Sequence, residues 1–224
     1  MPTIPFRIAT LSQQVDGGLF LSKALLFPEI SRLARDAAWD YLSWSRAHRQ
    51  LASDCDAVCF GTLGQRSKRS KSTIQRFVAE TSSNALRILD VNLRAPFFSD
   101  EVIRESLVLA NVLKLNDEEL PAVARLYDAR GSDLEMMRQL AERFQLRCIA
   151  VTRGANGAML VSGEAVSDLP GRRVEVVDTV GAGDAFTAAM TLGLLTGQAI
   201  DEVNHKTIEA AALACSQLSG IGSR

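Results

Sequence analysis

From residue 86 onward, short apolar runs alternate with longer mixed segments. Arg87-Ile88-Leu89-Asp90-Val91, Asn111 to Leu115, Arg147 to Thr152 and Ala158 to Ser162 predict strands, the last two joined by a glycine-bearing link. Ser99 to Ala110, Asp117 to Tyr127 and Ser132 to Phe144 predict helices between them. Ser132, followed three residues later by Glu135, makes a capping box at the start of the last of these. Upstream, Trp39 to Leu51 reads as an amphipathic helix and Ala57-Val58-Cys59-Phe60-Gly61 as a short buried strand ending at a glycine. The basic run Arg66 to Lys71 reads as a solvated loop before a helix near Thr73 to Glu80. Downstream, Arg173-Val174-Glu175-Val176-Val177 reads as a strand and Ala185 to Met190 as a helix.

Strand and helix in turn imply parallel βαβ units, and so an α/β fold with an open, mostly parallel sheet flanked by helices. Residues 1–36, with three prolines and Gly17-Gly18, have weak periodicity and form an irregular segment, while 37–224 form the α/β domain. Ligands of such sheets bind outside the carboxyl ends of the strands. The candidate loops are therefore Asn92 to Arg94, Asn116 to Glu119, Arg153 to Gly157 and Asp178 to Asp184.

Composition narrows the function classes. The chain has 224 residues and 47% apolar residues, enough for one large domain with a sizeable core. Its formal charge of −1 gives no reason to expect nucleic acid or an acidic membrane as a partner. The first residues lack the apolar run of a signal peptide, and no stretch of eighteen or more apolar residues occurs, so no membrane span is expected. Cys55, Cys59, Cys148 and Cys215 form no CxxC pair and stand far in sequence from His48 and His205, as expected of free thiols in the cytoplasm.

The stretch DTVGAGDAF, residues 178–186, carries the candidate chemistry. A strand passing through Gly-Ala-Gly into a helix exposes backbone N–H groups at the positive end of a helix dipole, where an anion is welcome. Asp184 beside such a hole repels the anion unless it works, for instance by taking a proton from a hydroxyl that attacks a phosphate. A plain helical turn, with Asp184 complementing the dipole, satisfies the same spacing. No GxxxxGK[ST] loop occurs, and Phe186 stands where a dinucleotide fingerprint would have glycine or alanine.

DTVGAGDAF closely resembles the second signature of the PfkB, or ribokinase-like, carbohydrate kinases. ILDVNLRAPFF, VLKLNDEEL and VTRGANGAML resemble further segments of that family, in the expected order, while AAWDYL and CFGTLGQRS look most like its fructokinase branch. The resemblance covers roughly residues 37–220. It implies a ribokinase-like fold and an ATP-dependent kinase that phosphorylates a small-molecule sugar acceptor. By the same resemblance Asp184 is the catalytic base, and the N–H groups of Gly181, Ala182 and Gly183 form the anion hole. Asp178 and the carbonyl of Val180 match a potassium-type (K+) cation site. Asn116 and Glu119 match the pair that organises Mg2+ and the phosphates, although Asn and Glu at this spacing also resemble a helix cap. Thr152, Arg153, Gly154 and Gly157 match the nucleotide loop, which also fits a simple turn between two strands. Asn204 matches an adenine-pocket position, Arg94 a phosphate-side arginine, and residues 215–220 an adenine and cation wall.

One departure from the family is plain. Its amino-terminal Gly-Gly motif carries an asparagine two residues on, whereas here Gly17-Gly18 is followed by Leu19-Phe20. Gly17-Gly18 reads better as a hairpin turn of a lid. The expectation is a chain that starts near the lid and lacks sugar-recognition residues and several central strands. The apolar edge so exposed would be covered by a partner such as the second copy of a homodimer.

Overall fold

A computed structural model describes residues 6–11, 38–93 and 98–216. Seven strands form one sheet in chain order: β1 (Ile8–Thr10), β2 (Ala57–Gly61), β3 (Leu86–Asp90), β4 (Val112–Asn116), β5 (Cys148–Thr152), β6 (Ala158–Ser162) and β7 (Ala165–Leu169). The first five run parallel, and β6 and β7 return antiparallel. Among the described residues seven α-helices accompany them: α1 (Arg46–Asp54), α2 (Lys68–Ala79), α3 (Asp100–Leu109), α4 (Glu119–Arg125), α5 (Asp133–Phe144), α6 (Ala182–Leu195) and α7 (Ile200–Cys215).

The strands are apolar on both faces because helices cover both. Phe60, Leu89, Leu113, Leu115 and Val151 point to one side, where they pack with Phe77, Leu107 and Leu140 from α2, α3 and α5. Ile88, Val112, Cys148 and Ala150 point to the other, where α6 and α7 cover them with Phe186, Met190 and Val203. The capping box at Ser132 and Glu135 is present at the start of α5.

Local pattern and structure part in several places. Trp39 to Leu51 is not one helix: a 3-10 turn at Ala38–Tyr41 is followed by α1, which Ser45 caps by accepting from the His48 amide. The basic run is not a loop. Ser67 caps α2, which contains Lys68 to Lys71, and Arg66 lies largely buried in a two-pronged pair with Asp40 at 2.7 and 2.6 Å. Lys71 reaches Glu105 at 2.6 Å.

Arg173 to Val177 is not a strand. The β6–β7 hairpin ends the sheet before it, and Val176 and Val177 lie exposed, with the Val177 and Asp178 amides donating to the Cys215 carbonyl at the end of α7. β1 falls inside the amino-terminal segment that shows no periodicity, and its three residues pair with Ala57, Val58 and Cys59. Among the described residues the sheet runs unbroken from β1 to β7. Arg94, Gly17-Gly18 and residues 217–220 lie outside the described residues.

Candidate active site

The loops after β3, β4 and β5 are tied together at the carboxyl edge of the sheet. The Val91 amide donates to the Lys114 carbonyl at 3.2 Å, and the Asp117 amide to the Thr152 carbonyl at 3.0 Å. Glu119 is buried, and its carboxylate accepts from the amides of Leu93 at 2.8 Å and Asn116 at 2.9 Å. Asn116 Oδ1 accepts in return from the Glu119 amide at 2.8 Å. This reciprocal pair has the bonding of the capping box that the spacing allowed, although it sits just ahead of α4, whose N-cap is Glu118, and through Leu93 it also holds the loop after β3.

Thr152 to Gly157 makes the turn between β5 and β6, with a 3-10 segment at Gly154–Asn156. Gly157 has φ +93°, and a Cβ there would run into the backbone of Leu169 to Gly171. The turn is thus held against the end of β7. Arg153 pairs with Asp168 on β7, and the Thr152 hydroxyl donates to the Leu115 carbonyl at 3.4 Å.

The glycine loop leads into α6. Asp178 Oδ1 accepts from the Val180 amide at 2.9 Å and so shapes the approach. Gly181 caps α6 with φ +84°, a left-handed conformation in which glycine is at ease. The Ala182 amide donates to the Thr179 carbonyl at 3.3 Å, so one of the three expected anion-hole donors already has a partner. Gly183 and Asp184 are exposed in the first turn of α6. Gly183 has no positive φ, and among the described residues a Cβ built on it would meet only Lys114 Nζ, at 3.5 Å. The described residues therefore give Gly183 no reason to lack a side chain, whereas a ligand approaching its backbone would.

Charged side chains missed by the loop-by-loop sequence reading lie beneath this turn. Lys114 Nζ donates to Asp90 Oδ1 at 3.0 Å, and the Thr187 hydroxyl stands 3.1 Å from Asp90 Oδ2. The detectable signal was a lone charge inside each of two apolar strands, in ILDV and VLKLN. Nothing local marks Thr187. Burial pushes the nearby Cys59 thiol up to about 12, and the charges of Asp90 and Asp184 add to the rise. Cys59, whose sulfur lies 3.9 Å from the Thr191 hydroxyl, is therefore held in its thiol form.

Asn204 lies on α7. It is fully buried, and its Nδ2 lies 3.0 Å from the Ala158 carbonyl, 3.2 Å from the Ser167 carbonyl and 3.1 Å from the Ser167 hydroxyl. It pins α7 to the β6–β7 hairpin. Asn204→Ala removes those donors from buried acceptors, at about 1–3 kcal/mol for a group left unsatisfied. The expected result is a clearly lower melting temperature with nucleotide affinity within about threefold of the parent. A large affinity loss with unchanged melting would return Asn204 to the ligand site.

Residues 31–223 match the profile described as pfkB family carbohydrate kinase. A fructokinase of Escherichia coli is 33% identical over 136 residues, spanning 58% of this chain and 43% of the relative. The uncharacterized sugar kinase PH1459 of Pyrococcus horikoshii, solved in complex with ATP, superposes with a TM-score of 0.61 at 25% identity, over 75% of this chain and 54% of that one. Aminoimidazole riboside kinase of Salmonella enterica, solved with aminoimidazole riboside and an ATP analog, shares the fold at a TM-score of 0.62 and 22% identity, over 80% of this chain and 62% of that one. The chain spans about half the length of the curated relatives it matches. With the profile matching most of the chain and the glycine loop seated at the carboxyl edge of a mostly parallel sheet, the protein belongs to the pfkB family of carbohydrate kinases.

Proposed function

We propose that the protein is an ATP-dependent, fructokinase-like sugar kinase that transfers the γ-phosphate to a sugar hydroxyl in the cytoplasm. The observation that carries this reading is the start of α6. There Gly183 has no conformational need to be glycine and, among the described residues, no packing need, and the exposed carboxylate of Asp184 follows it directly. A turn needed only for its shape would accept a side chain at 183.

In this reading Asp184 takes the proton from the acceptor hydroxyl as that oxygen attacks phosphorus. The amides of Gly181 and Gly183, with Ala182 once its weak turn bond yields, donate to the oxygens on which charge builds. The turn at Thr152 to Gly157 lies beside the nucleotide. Asp178 and the Val180 carbonyl would hold a K+ ion next to the anion hole.

The residues present suit a Mg2+ ion that arrives with the nucleotide. Among the described residues no group of three or more His, Cys, Asp or Glu could cage a metal. Glu119 already accepts two backbone N–H groups, which leaves it and Asn116 to face the waters of a hydrated ion. When bound, that ion would neutralise charge on the phosphates.

Melting curves and an ADP-release assay across a sugar panel test the reading. A ligand at 100 times its Kd stabilises the folded state by about 2.7 kcal/mol. Millimolar Mg-ATP should raise the melting temperature by several degrees, while fructose or ribose alone should not. ADP should be released only when a sugar is present. A well-folded sample with no nucleotide shift would refute the ATP site.

A further inference from the structure

The sheet face beneath α6 is apolar until it nears the carboxyl edge. Cys59, Ile88, Val112 and Cys148 lie side by side across β2 to β5. The next row toward the carboxyl edge runs Gly61, Asp90, Lys114 and Ala150. A carboxylate and an ammonium thus occupy core-facing positions where an apolar pair would pack.

Their placement works against the fold. Lys114 is only 8% exposed, and a buried ion pair is often less stabilising than a well-packed apolar pair of similar volume. The ammonium also lies under the positive end of α6, where the helix dipole disfavours a cation. Lysine carries three N–H donors, and Asp90 is its one hydrogen-bond partner among the described residues. Asp90 is itself braced by Thr187 on the second turn of α6. The ammonium is therefore held in place with donor capacity left over, 3.5 Å from where a side chain on Gly183 would begin.

We propose that Lys114 is a further catalytic residue of this site, its ammonium contacting the phosphoryl group in transfer while Asp90 and Thr187 hold it in place. The inference rests on the kinase reading above. As the acceptor oxygen bonds to phosphorus, the bond from phosphorus to the departing nucleoside diphosphate breaks. The hydroxyl proton goes to Asp184, and Lys114 keeps its own protons throughout. Its charge compensates the oxygens that the Gly181 and Gly183 amides contact, and it offsets the repulsion between Asp184 and the incoming anion.

The test uses the full chain with Lys114→Met, Lys114→Arg and the double variant Lys114→Met/Asp90→Asn, which leaves no buried charge unpaired. Melting temperature, calorimetric Kd for Mg-ATP and for adenosine, and sugar-dependent ADP release are measured for each. Lys114→Met and the double variant should lose about 100-fold or more in ADP release, the scale seen for loss of one oxyanion donor. ATP should weaken about tenfold more than adenosine, Lys114→Arg should recover part of the loss, and the double variant should melt no lower than the parent. The inference is overturned if the double variant turns over within about threefold of the parent. It is equally overturned if activity falls while the ATP-to-adenosine affinity ratio stays put and arginine rescues nothing, since that pattern marks a purely structural pair. A parent that neither binds ATP nor releases ADP would instead overturn the kinase reading, and this inference with it.

Discussion

Replacing Asp184 by asparagine should lower sugar-dependent ADP release by about 100- to 10,000-fold, the usual contribution of general acid–base catalysis. The two side chains have nearly the same shape, and the carboxylate is exposed. In the proposed role, what disappears is the ability to accept the proton of the attacking hydroxyl. The helix loses one favourable dipole interaction, about 0.3–1 kcal/mol at an exposed site, a small change in melting temperature. Nucleotide affinity should hold or rise slightly, because a negative charge leaves the neighbourhood of the phosphates. Steady-state ADP release together with the calorimetric Kd for Mg-ATP measures both effects. Turnover within about threefold of the parent would remove Asp184 from the role of base and leave it a residue that complements the helix dipole.

Gly183→Ala should separate stability from activity in the opposite sense. Position 183 is helical, without positive φ, and among the described residues the space beside it is bounded only by Lys114 Nζ at 3.5 Å, an ordinary contact distance. Alanine should therefore leave the melting temperature unchanged or raise it, since alanine exceeds glycine in helix propensity by about 1 kcal/mol in a helix interior and by less in a first turn. Its methyl group would stand where, in the proposed role, a phosphoryl oxygen approaches the backbone. Turnover should fall by about 100-fold or more, comparable to the loss of one oxyanion donor. ATP should weaken more than adenosine, because only ATP brings phosphates to the turn. Lost stability with equal losses for both ligands would mean that the glycine serves the fold. Gly181 offers the contrast: at φ +84° an alanine is strained whatever binds, so its substitution reports on the backbone first.

Taken alone, the sequence determined the α/β class, the strands β2 to β6, the helices α3, α4, α5 and α6, and the glycine loop that leads into α6. Each has a signature within a few consecutive residues: dense apolar runs, a capping box at Ser132 and Glu135, glycines at a helix start. The Asn116–Glu119 pair was legible for the same reason, since a reciprocal cap spans three residues. Tertiary structure decided the rest, because the deciding contacts join distant parts of the chain. Ile8 to Thr10 is a strand only because Ala57 to Cys59 lies beside it, whereas Arg173 to Val177, with a strand-like pattern, ends against α7. Asn204 looks like any polar residue on a helix until Ala158 and Ser167 enclose it. Asp90, Lys114 and Thr187 come from two strands and a helix, and meet only when α6 packs on the sheet. Hydrophobic period reports which face of an element is buried, but the partner on that face is set by the register of the sheet and the seating of the helix, and those fix where the charges beneath Gly183 lie.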